Sequence, residues 1–198
     1  MTAILISREL YKGEDTLYIV ADQRVTSDDK VISDRNQKVF SFGPTKTRKH
    51  GRHYVTVGDV DPTDYILHRL ESMDDMESLY QFVMESEQFT KMPHDATIIM
   101  INDIKDAPDI VIINKSSSYT GTRIVDMEEL RYAPLYSGTG GLYVKVALDA
   151  LKDLLIPDMT YECKVKLAFH AAAKSVVSMN DILTIIKLPI KETKKRKK

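Results

Sequence analysis

The sequence predicts an α+β protein arranged as a four-layer αββα sandwich, two mainly antiparallel sheets between helix pairs. Three observations predict it. Strand-like and helix-like segments alternate as strands, two helices, strands, two helices, strand. Short turns join most strands, which makes hairpins dominant and the sheets largely antiparallel. Many strands carry consecutive rather than alternating apolar residues, so both faces of each sheet need cover.

The elements follow in order. TAILIS (2–7) and TLYIVAD (16–22) are apolar, β-branched strands, and the Gly and Asp of the intervening RELYKGED mark a hairpin turn. KVISD and KVFSF are two short strands broken at RNQ, and RHYVTVG (52–58) stops at Gly58. The period then changes. In DPTDYILHRLE, Asp61 is the expected N-cap, Pro62 takes the first helical position and Asp64 lies in the first turn. DDMESLYQFVMESEQF (74–89) reads as one second helix, with Met76, Leu79, Phe82 and Val83 on one face and Pro93 beyond its end. DATIIMIND (95–103) and DIVIINK (109–115) are strands around IKDAPD, and a less marked pattern at TRIVDM adds a third. GTGGLYVKVALDALKDLL (138–155) is a glycine-rich turn feeding a helix. MTYECKVKLAFHAAAKSVV (159–177) is another helix, and DILTIIKL (181–188) the final strand.

A chain of 198 residues, 43% apolar and 29% charged, suits one soluble globular domain with a sizeable core. No apolar run approaches the roughly 20 residues that cross a bilayer, so no membrane association is expected. The start lacks a basic segment followed by a long apolar one, so no secretory signal is expected either. The one cysteine, Cys163, excludes an internal disulfide framework and fits a reducing cytoplasm. Its helical neighbours Val165, Leu167 and Ala168 suggest that it is buried and inert. Five histidines show no metal-ligand spacing with it, and neither a metal nor another cofactor is expected. The tail KETKKRKK (191–198) carries net +5, which leaves about −6 on residues 1–190 of a chain whose total is −1. It is expected to be a solvated extension, either solubilising or in contact with an acidic partner or nucleic acid.

The chemistry starts at Thr2, directly after Met1. A small second residue permits trimming of the methionine. A free N-terminal threonine then carries a nucleophilic hydroxyl and, in its own α-amine with an ordinary pKa near 8, the base that accepts the proton. Such a site also needs a cation, a carboxylate to orient it, and N–H groups for the oxyanion.

VADQRVT followed by DRNQKVF resembles the proteasome β-subunit pattern, an Asp-x-Arg-x-Thr run and then a Lys in an Asn-x-x-Lys-[IV] context. Asp22, Arg24, Thr26 and Lys38 fall on those places. VTVGDVDPTDYILHRLE is similar to the corresponding stretch of the bacterial HslV peptidase, YSGTGGLYVKVALDAL resembles the family's Gly-Ser-Gly-Gly turn with Thr139 in the Ser place, and NDILTII resembles the closing Gly-Asp-[IV] strand. These matches run in order over residues 2–188.

The resemblance implies an N-terminal nucleophile hydrolase. In it Thr2 is the nucleophile, Lys38 sits beside the Thr2 hydroxyl, and Asp22 holds Lys38. The Gly58 amide supplies the oxyanion hole, and Thr139 with the Gly138–Gly141 turn braces the N-terminus. It also implies a polypeptide substrate, a homo-oligomeric ring and an ATP-driven unfoldase partner. The chain departs from the pattern at three places. The span from Thr2 to Asp22 is longer, an acid (Asp59) follows Gly58, and Ser175 or Val177 stands where the family has a helix-end Asp. Three functions follow: a threonine peptidase, a catalytically silent structural or assembly protein of the same fold, bacterial or phage-encoded, and an amidase acting on a small amide.

Overall fold

The structure is a computed structural model that describes residues 2–11, 13–27, 30–46, 48–59, 65–67, 69, 73, 76–93, 95–104, 109–116, 119–152, 159–176 and 179–190. In chain order its elements are β1 (Ile4–Tyr11), β2 (Glu14–Asp22), β3 (Val25–Ser27), β4 (Lys30–Ser33), β5 (Val39–Phe42) and β6 (Gly51–Gly58). Next come α1 (Met76–Glu85), α2 (Glu87–Thr90), β7 (Ala96–Asp103), β8 (Asp109–Lys115) and β9 (Thr120–Val125). The last are α3 (Glu129–Tyr132), β10 (Leu135–Ser137), α4 (Gly141–Lys152), α5 (Tyr161–Ser175) and β11 (Leu183–Ile190). Residues 65–67 and 69 are also helical, while the expected cap at Asp61 and the basic tail lie outside the described residues.

The chain divides into two compact units: Met1–Gln37 with Ile104–Pro108 and Met127–Lys198, and Lys38–Asp103 with Asp109–Asp126. The first holds an antiparallel sheet of order β10-β1-β2-β11 and the β3-β4 hairpin. Ile4, Leu5 and Ile6 are all buried, so neither face of β1 is solvated there. On one face, Leu5 and Val20 pack with Val144 and Leu148 of α4 and with Val165 and Phe169 of α5. The helix-facing positions of α5 are Tyr161, Val165, Ala168, Phe169 and Ala172. Cys163, expected to be buried, is exposed; two positions past Tyr161 is about 200° around the helix, the solvent side.

The second unit is an antiparallel sheet of order β5-β6-β7-β8-β9. Tyr54, Ile98, Met100 and Val111 pack there against Leu79, Val83 and Phe89. The single helix expected over 74–89 is two, because Ser86 leaves the helical conformation (ψ 99°) and its side chain caps α2 by accepting the Phe89 N–H. RELYKGED is not a loop either. The β1–β2 ladder runs through it to Tyr11↔Glu14, so the extra length goes into paired strand, and Gly13 (φ 84°) makes the turn. Short α3 and β10, inside DMEELRYAPLYS, had no periodic signal. Among the described residues, no helix is long and apolar enough to cross a membrane, and no three His, Cys, Asp or Glu gather to hold a metal ion.

Candidate functional site

Thr2, Asp22 and Thr139 lie in the first unit, Lys38 and Gly58 in the second. Thr2 precedes β1 and is only 7% exposed. Its carbonyl accepts the Gly140 N–H at 3.1 Å. Gly138 (φ 78°) brings the turn so close that a Cβ there would stand 2.0 Å from the Thr2 carbonyl oxygen. A side chain at Gly140 would meet Ala3 Cβ and Met179 Sδ, each at 2.9 Å. The turn is therefore glycine-rich because the backbone of residues 2 and 3 passes against it. It closes with Gly141 N–H to Gly138 C=O at 3.0 Å and leads directly into α4. Thr139 itself is exposed, so it is the backbone of the turn, rather than this side chain, that grips Thr2.

Asp22 is fully buried at the end of β2. One carboxylate oxygen accepts the Ala3 N–H at 2.8 Å and the other the Arg24 N–H at 3.2 Å, while the Asp22 N–H donates to the Ala3 carbonyl at 3.2 Å. Thr2 is thus anchored on both sides of its peptide link to Ala3, by Gly140 at the carbonyl and Asp22 at the following amide. Arg24 pairs through Nε with Asp34 Oδ1 at 2.6 Å, holding that carboxyl below its ordinary range.

In the second unit, Lys38 precedes β5, is 6% exposed, and accepts the Thr56 N–H on its carbonyl at 3.0 Å. Gly58 ends β6 exposed, with φ 102°, where a Cβ would fall 2.3 Å from the Asp95 carbonyl oxygen. Asp59, the acid beside it, donates its N–H to that same carbonyl at 2.8 Å and accepts the Asp95 N–H on its carboxylate at 3.1 Å. Its side chain is engaged across the strand end.

Two features escaped the sequence. Asn180, 5% exposed, hydrogen-bonds both Gln23 and Asp34; an isolated Asn before a strand carries no pattern that marks it. Arg8 and Asp15, each 6% exposed, form a buried ion pair joined by Arg131 and Glu128. Both residues lie at the ends of RELYKGED, which read as a turn, so nothing marked them as buried. Ser175, at the last position of α5, is exposed, and residues 177 and 178 lie outside the described residues.

Antiparallel sheets covered by helices make an α+β fold, the fold also seen in solved structures of the HslV and proteasome β-subunit type. Among solved structures, the chain is similar to eukaryotic HslV from Trypanosoma brucei, with a TM-score of 0.62 and 17% identity over 94% of this chain and 99% of that one. It is equally similar to Thiobacillus denitrificans BPH, free and in complex with epoxomicin, with a TM-score of 0.62 and 12% identity over 96% of this chain. These alignments cover 99% and 100% of the BPH chain. Neither a family model nor a curated protein matches the sequence.

Proposed function

We propose that this chain is a threonine-type peptidase subunit that hydrolyses peptide bonds through Thr2 after removal of Met1. The observation that carries the reading is the seating of Thr2, with its carbonyl on the Gly140 amide and the following amide on the buried Asp22 carboxylate. An N-terminal nucleophile must be held this way, because a fraying terminus cannot keep a hydroxyl in attack geometry. In this reading residues 1–190 act as one domain. The α-amine takes the hydroxyl proton as oxygen attacks the peptide carbonyl, the tetrahedral intermediate collapses to an acyl ester, and water activated by the same amine releases it. Lys38 supplies the cation that favours ionisation, with Asp22 as its orienting carboxylate, and the Gly58 amide faces the oxyanion. Thr139 contributes through its place in the Gly138–Gly141 turn.

The partners proposed with it are a polypeptide substrate, further copies of the chain in a ring and an ATP-driven unfoldase, in the cytoplasm. The basic tail solubilises the chain or contacts an acidic partner or nucleic acid. A silent structural role is the second reading, favoured by an exposed Ser175 where the family pattern has an acid.

Because BPH from Thiobacillus denitrificans is seen with epoxomicin, a peptide epoxyketone is the probe. It closes a ring on a hydroxyl and its neighbouring free amine together. Intact mass is expected to show loss of Met1 plus one adduct, abolished in Thr2→Ala and slowed in Lys38→Ala. A retained Met1 and no adduct would establish the silent role.

A further inference from the structure

Building on the threonine-peptidase reading, we infer that Asn180 is a positioning residue for Thr2, acting through Gln23, Arg24 and Asp22. Its side-chain oxygen accepts the Gln23 N–H at 3.2 Å, and its amide nitrogen donates to the Asp34 carbonyl at 2.9 Å. Both bonds lie within the first unit, and the side chain is 5% exposed. They tie together three stretches that are remote in sequence: the end of β2, the segment after β4 and the approach to β11.

Gln23 is fixed from every side. Its N–H is shared between Asn180 and the Ile182 carbonyl at 3.0 Å, its carbonyl accepts the Asn36 N–H at 2.8 Å, and its side-chain amide donates to Thr184 Oγ at 3.1 Å. The Gln23 N–H belongs to the Asp22–Gln23 peptide, and the Gln23 carbonyl to the next peptide, which carries the Arg24 N–H that donates to Asp22 Oδ2. The Asp22 carboxylate therefore has one oxygen on Arg24 and the other on Ala3. Rotation of the Gln23–Arg24 peptide would release one oxygen and let the carboxylate turn away from Ala3, loosening the link next to Thr2. Asn180 opposes that rotation by fixing the preceding Asp22–Gln23 peptide, from which the Gln23–Arg24 plane turns, and by fastening it to Asp34, which itself pairs with Arg24 at 2.6 Å. A glycine at position 180 could make neither bond, whereas Asn offers an acceptor and a donor from one rigid amide plane.

The test uses the full chain and two readouts. The first is residue-resolved amide hydrogen exchange by mass spectrometry of wild type, Asn180→Ala and Asn180→Asp. Exchange at Ala3 and Arg24 is expected to quicken in Asn180→Ala by roughly tenfold, the factor that one lost hydrogen bond carries, while the ladder amides of Leu17–Val20 keep their wild-type rates. The second is epoxyketone labelling, in which the maximal rate is expected to fall by a similar factor with the half-saturating concentration unchanged. Asn180→Asp keeps the acceptor for Gln23 but sets a carboxylate oxygen against the Asp34 carbonyl and carboxylate, so it is expected to quicken both amides at least as much as alanine does, and Asn180→Ser, which keeps a small polar side chain, serves if neither variant folds. Unchanged exchange at Ala3 and Arg24, or exchange that rises in step with Leu17–Val20, overturns the inference. If those two amides respond but wild type takes up no epoxyketone, the positioning stands and the peptidase reading falls.

Discussion

At the scale of single residues, glycine placement and one buried ion pair carry the sharpest consequences. Gly138 and Gly13 both have positive φ, 78° and 84°, yet only Gly138 faces an obstacle, the Thr2 carbonyl at 2.0 Å from a built Cβ. Around Gly13 nothing lies within 4 Å. Gly13→Ala is therefore expected to cost about 1 kcal/mol of backbone strain, and Gly138→Ala distinctly more, about 3 kcal/mol once Thr2 is displaced as well. Urea denaturation of the pair checks the ranking. Asp15 adds a pH dependence. Burial pushes its carboxyl pKa up, but hydrogen bonds from Arg8 and Arg131 outweigh this and hold it below the ordinary range. Its folded pKa thus lies below its unfolded one. The pair's contribution is complete above an unfolded pKa of about 4, and it is lost as pH falls through the folded value. Asp15→Asn leaves the Arg8 guanidinium with the Glu128 carboxylate and the Met127 carbonyl; the expected cost at neutral pH is about 3 kcal/mol. The difference from wild type should shrink as pH falls from about 4 towards 2, and denaturation at stepped pH measures it.

At the scale of elements, the helices are held by their caps and their buried faces. Thr160 caps α5 by accepting the Cys163 N–H at 3.3 Å. Thr160→Ala is expected to lower stability by about 1 kcal/mol, while a Cys163→Ser change on the exposed face should leave it unaltered; thermal melts of the two variants compare them. Elements with a strong pattern were legible in the sequence: DIVIINK is β8 at both ends, and α5 lies wholly within MTYECKVKLAFHAAAKSVV. The helix break at Ser86 was hidden because serine suits a cap as well as a helix surface, and only the Phe89 amide chooses between them. β10 is three residues long, too short to show a period, and exists because β1 pairs with it. In the candidate site, Thr2 could be picked out from its chemistry and the turn from its run of glycines, whereas Asp22 was named through the family resemblance. Asn180 could not, because its meaning depends on Gln23 and Asp34, which only the folded chain brings to it.

At the scale of the whole molecule, the order of strands sets the order of events. β2 lies between β1 and β11, the first strand of the chain and the last. The β1–β2 hairpin is synthesised early, but its other neighbour arrives about 160 residues later. At roughly 5–20 residues per second, that delay is on the order of ten to thirty seconds. The turn at Gly138–Gly141 is also made late, so a nascent chain emerges with the segment around Thr2 still unclasped. On the threonine-peptidase reading proposed above, removal of Met1 falls in that interval, before Gly140 reaches the Thr2 carbonyl. On that reading maturation of the terminus is timed by translation, and the last third of the chain closes over an end already trimmed.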